Sequence, residues 1–137
     1  MSRLVLLLIA AAVTAGTTGC GSETPTSPSD TTTPVTETFS SIVPWKGATS
    51  RSFTTSAKGT VTVTLTSLGQ DAAAVGLALG LADGANSQCA PTYSVVTTVY
   101  AGRQLAATAD AGRYCILVSD IGELTNQASF TVTVVHP

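Results

Sequence analysis

One histidine, one tryptophan and six carboxylates carry most of the side-chain chemistry available to the C-terminal hundred or so residues of this 137-residue chain. A Ser–His–Asp or Cys–His site needs a base held in one orientation. The sole histidine, His136, stands next to the last residue, where fraying is expected. It reads as a polar strand end rather than a base. Paired carboxylates could hydrolyse a glycoside, but Glu37, Asp71, Asp83, Asp110, Asp120 and Glu123 all fall in or beside turns. Acids in turns normally solvate the chain and cap local backbone. No catalytic residue is assigned, and the chain is read as non-enzymatic.

Metal binding and carbohydrate binding are the two other chemistries these residue types could support. Calcium takes carboxylate and carbonyl oxygens from loops, and Asp83 with Asn86, or Asp120 with Glu123, are possible donors. Neither pair has the EF-hand spacing, so no metal or cofactor is assigned. Carbohydrate binding needs an exposed aromatic beside polar loop residues. Trp45, in VPWKGAT, could form such a platform, with Tyr93 or Tyr100 as companion. Aromatics are only 5% of the chain, so each is first expected to fill the core; Trp45 is kept as a possible ligand contact.

Charge narrows the partners. Lys46, Arg51, Lys58, Arg103 and Arg113 are scattered singly, and a phosphate backbone requires clustered cations. Nucleic acid is not an expected partner.

The elements that would position these residues begin with an export signal. Arg3 is followed by an apolar run from Leu4 to Val13, about half the ~20 residues of a spanning helix, which fits a signal-peptide core. Ala15 to Gly19 are small, and Cys20 follows. This resembles a bacterial lipoprotein signal, with Thr17 where leucine is usual. The resemblance implies cleavage before Cys20 and acylation of that cysteine; the alternative is ordinary secretory cleavage at a small residue. Loss of residues 1–19 removes Arg3 and moves the formal charge from −2 to −3. Gly21 lacks the aspartate of an inner-membrane retention signal, which favours the outer membrane. Without the anchor, the chain would be periplasmic or secreted.

With Cys20 claimed by the lipobox, Cys89 and Cys115 remain as an even pair in an exported chain, and a disulfide between them is expected. Residues 20–36, rich in Ser, Thr and Pro, read as a disordered tether.

Residues 37–137 read as one domain of short strands. These are expected at 37–42, 49–55, 60–68, 72–81, 93–100 and 104–108, with two more in 112–137. In the third, Val61, Val63 and Leu65 alternate with threonines, the period of a half-buried strand. Residues 72–81, AAAVGLALGL, compete as a helix. Gly76, Gly80 and the period of two favour a strand, with small residues on one side for close approach of another segment. In the last two strands, Tyr114, Ile116 and Val118 share one side, as do Phe130, Val132 and Val134. About seven or eight strands without a credible helix imply an all-β antiparallel sandwich.

The order Phe39, Phe53, GTVTVTLTSL at 59–68, the apolar strand 75–81, AGRYCILVSD at 111–120 and SFTVTVVHP at 129–137 resembles the bacterial pre-peptidase C-terminal domain. That resemblance implies a jelly-roll-like sandwich acting as an accessory module of exported proteins. The expected role is non-catalytic binding or structural work at the cell envelope, with the membrane as partner through the anchor. A surface glycan or an envelope protein is the further expected partner. The alternative is a carbohydrate- or peptide-binding module built on Trp45.

Overall fold

Alternation of apolar and hydroxyl side chains becomes eight strands among the described residues. They are β1 (Val35–Val43), β2 (Ala48–Thr55), β3 (Gly59–Leu68), β4 (Val75–Ala82), β5 (Cys89–Thr97), β6 (Leu105–Ala109), β7 (Gly112–Ser119) and β8 (Ala128–His136). The structure, a computed structural model, describes residues 32–69, 74–84, 88–99 and 105–137. Cys20, the signal and most of the expected tether lie outside them, as do Asp71, Asn86, Tyr100 and Arg103.

The strands form two four-stranded sheets, ordered β1-β8-β3-β6 and β2-β7-β4-β5, with every described pairing antiparallel. This is the all-β sandwich that the strand rhythm implies. Val61, Val63 and Leu65 from β3 and Phe130, Val132 and Val134 from β8 face the second sheet. They meet Val75, Leu77 and Leu79 of β4, Ile116 and Val118 of β7, and Phe53 of β2 in one core. Burial of each large side chain contributes about 1.5–3 kcal/mol. The threonines between them stay at the surface or half-buried.

Residues 75–82 form a strand, and the small residues on its outer side face close neighbours, backbone at Gly80 and a movable hydroxyl at Gly76. A Cβ on Gly80 would lie 1.9 Å from the Ala90 carbonyl oxygen, and one on Gly76 would lie 2.5 Å from Ser119 Oγ. At Gly80 the β4–β5 register shifts, and the first residues of β5 ride over β4. That crossing lets Cys89 reach Cys115, with Cα atoms 5.6 Å apart, and the expected disulfide is formed.

Two strands begin well before their expected first residue. β1 begins at Val35 rather than Glu37, because β8 runs on to His136 and pairs with Val35 and Thr36. Local composition there resembles the tether, and only the partner strand reveals the pairing. β5 begins at Cys89 and ends at Thr97, whereas Cys89–Pro91 reads as loop. Proline is tolerated on an edge strand or at a bulge, and Pro91 lies on an edge strand beside one.

Candidate functional site

Among the described residues the most exposed aromatic lies at the tip of the β1–β2 connection, where the chain crosses between the sheets. Pro44 stops β1, and the Gly47 amide donates to the Pro44 carbonyl at 3.0 Å. Lys46 adopts a φ of 55°, a left-handed conformation that costs a non-glycine residue about 1 kcal/mol. Asp120, in the β7–β8 loop, holds it there. Its Oδ2 accepts from the Lys46 amide at 2.7 Å. Its Oδ1 accepts from the amides of Gly122 (2.7 Å) and Leu124 (3.2 Å), and its own amide donates to the Gly47 carbonyl at 2.9 Å. Gly122, at φ 97°, supplies the positive φ that this loop needs. One carboxylate thus braces two loops together.

On that braced turn Trp45 is 54% exposed. The expectation that it fills the core is overturned. The inward parity of β1 ends at Val43, and the Pro44 turn carries the next side chain past the end of the sandwich. Aliphatic side chains and phenylalanine supply the core instead. The Lys46 ammonium lies 4.2 Å from the Trp45 ring centroid, a cation–π contact of about 0.5–1 kcal/mol at an exposed site. Ile121, next to the bracing aspartate, is also exposed. Tyr93 does not join this group. It pairs through Leu79 and Ile116 to Arg51, three strands from β2. Tyr100 lies outside the described residues.

Asp120 is held below the usual carboxylate range, first by the Lys46 amide and further by the amides of its own loop. A depressed folded-state value makes the ionised brace favourable above the ordinary aspartate range, and that contribution is lost as pH falls through the lowered value. The chain has one tryptophan, which makes its fluorescence a clean reporter. Its emission is expected to stay constant from neutral pH through mild acid and to shift only below the ordinary carboxylate range. Asp120→Asn should show the shifted emission already at neutral pH; an unshifted spectrum there would refute the brace.

The other candidate groups have separate places. Among the described residues no three His, Cys, Asp or Glu side chains approach closely enough to share a metal; Asn86, the expected companion of Asp83, lies outside them. The Asp83 amide donates to the Gln88 carbonyl, and Asp110 pairs with Lys58 at 3.3 Å on an exposed surface. His136 is not frayed. It is 3% exposed, its ring centroid lies 5.2 Å from that of Phe53, and Nε2 is 3.0 Å from Glu37 Oε1. Nδ1 lies 3.0 Å from the Pro137 carbonyl oxygen. The Glu37 carboxylate is an acceptor, so Nε2–H donates to it and fastens the end of β8 to β1. Pairing along β1 holds what its position in the sequence suggests is loose.

Sequence reasoning missed Arg51. It occupies an inward-facing position of β2 with Phe53 and Thr55, both buried, yet it is exposed. Beside it lies a groove of about 420 Å³ lined by Thr38, Phe39, Ser40, Ser50, Arg51 and Ser52. The signal was parity: a charge where the strand's alternation calls for an apolar group.

Fold and sites together define an antiparallel β-sandwich whose exposed features are a braced aromatic turn and an open groove between sheet edges. In comparisons with known protein families and with curated proteins, the chain matches none.

Proposed function

We propose that this chain is a non-catalytic binding module of the bacterial cell envelope, with the Trp45 turn as its point of contact. The proposal includes export through residues 1–19, acylation of Cys20, a tether over residues 20–36 and a domain like the pre-peptidase C-terminal domain. The observation that supports it most is the Trp45–Lys46 turn. A large apolar ring stands in solvent on a turn that Asp120 holds by two hydrogen bonds, from the Lys46 amide and to the Gly47 carbonyl, while two more fix the aspartate's own loop, so little ordering remains to oppose binding. An indole beside an ammonium suits the apolar face and hydroxyl rim of a sugar ring, which makes an envelope glycan the favoured ligand. The outer membrane is the favoured site of the anchor.

The test uses mature protein from its native host. Intact mass should correspond to a chain beginning at an acylated Cys20; an unacylated mass would remove the anchor from the proposal. Titration with solubilised envelope glycan should quench the single tryptophan. Trp45→Ala should weaken binding, measured by calorimetry, at least about tenfold while lowering the melting temperature by only the few degrees that loss of the cation–π contact implies. Unchanged affinity would dismiss the turn as the contact, and a melting temperature lowered by on the order of 15 °C would return Trp45 to a structural role.

A further inference from the structure

The groove at Arg51 is a second site, independent of the Trp45 reading. β1 and β2 each stand at the end of their sheet order, so each presents an edge that no other described strand covers. They are joined near the turn, where Thr49 Oγ1 donates to the Ile42 carbonyl at 2.6 Å. Farther along, the groove opens between them. Phe39, half-buried against the core, forms its apolar part, and Thr38, Ser40 and Ser52 contribute to its walls.

Arg51 gives the groove its chemistry. Its Cα partner on β7 is Ile116, a core residue, so the pleat directs Arg51 towards the space between the sheets. Neither described ion pair includes it. A guanidinium offers a planar fork of donors that matches a carboxylate.

We propose that this groove binds an extended acidic peptide segment. The segment would pair its backbone with the outer edge of β1 or β2 and direct a carboxylate side chain to Arg51. Strand addition of this kind draws affinity from main-chain hydrogen bonds and specificity from alternate side chains. The positive charge selects an acidic residue among those that face inward.

The test titrates the mature, disulfide-bonded protein with a short synthetic peptide of alternating Thr and Val carrying one central Glu. Binding is followed through backbone amide shifts. The expected result is saturable shifts confined to residues 38–40 and 50–52 and their neighbours. Binding should weaken roughly tenfold when the peptide Glu is replaced by Gln. Backbone N-methylation of the peptide should abolish it. Arg51→Gln should erase the Glu-over-Gln preference without moving the melting temperature. Shifts absent at millimolar peptide, or a preference that survives Arg51→Gln, would overturn the assignment. So would concentration-dependent shifts at the same residues without peptide, which would make a second copy of this chain the occupant.

Discussion

Removal of the Cys89–Cys115 bridge, by reduction or by the paired substitutions Cys89→Ala and Cys115→Ala, is expected to destabilise the fold by about 3–4 kcal/mol. The bridge closes a sequence separation of 26 residues, which sets that figure in the chain-entropy account. A domain of this size has about 5–15 kcal/mol in total, so the loss should lower the melting temperature by on the order of 20 °C. Urea unfolding with and without reductant gives the comparison directly. Because β5 is the edge strand that the bridge fastens to β7, hydrogen exchange should rise first in residues 89–97. A midpoint unchanged by reduction would show that β5 is held by its pairing with β4 alone.

Gly80→Ala is the second large effect, expected at about 3 kcal/mol or more. The new methyl would lie 1.9 Å from the Ala90 oxygen, 2.6 Å from its carbonyl carbon and 2.7 Å from Pro91 Cα. All three are backbone atoms, so no rotamer change relieves the clash. β5 cannot simply lift away, because it is laddered to β4 beyond the bulge and bridged at Cys89. Two other glycines provide a graded control. Gly76→Ala first meets the Ser119 hydroxyl, which can rotate, and Gly84→Ala meets nothing within 4 Å. Urea midpoints should therefore fall in the order Gly84→Ala, Gly76→Ala, Gly80→Ala, with Gly84→Ala close to the parent. Gly80→Ala should also be less damaging once the disulfide is removed, since the strand could then yield; neighbouring changes of this kind do not add. Equal midpoints for the three variants would contradict the crossing at Gly80.

Strand faces were the legible part of this chain. Val61, Val63 and Leu65 alternating with threonine, and Phe130, Val132 and Val134 in the last strand, identify their buried side because a strand's side-chain period is two. Cysteine arithmetic likewise pointed to the bridge. What escaped was information held by neighbours in space. The Lys46–Asp120 brace joins residues 74 positions apart, and His136 is secured by Glu37 across 99. Nothing local to either residue announces its partner. Trp45 was misjudged for another reason: scarcity of aromatics argues for their use in the core, but says nothing about a single residue placed just after a proline turn. Arg51 stood in plain sight as a parity violation and was passed over as an isolated cation.

Pairing of β1 with β8 along nine successive residues, Val35↔His136 to Val43↔Ala128, has a mechanical consequence. β1 runs from the N-terminal edge of the described domain to the Trp45 turn, a span of about 30 Å. Tension between the segment preceding Val35 and a ligand gripped at Trp45 would act along this strand. The load would run along the already extended backbone of β1 and not across its rungs to β8, so it would neither shear nor unzip the pair. A module held from one end and gripping at the other would therefore resist being torn open by flow or by movement of its target, with β1 as its tension member.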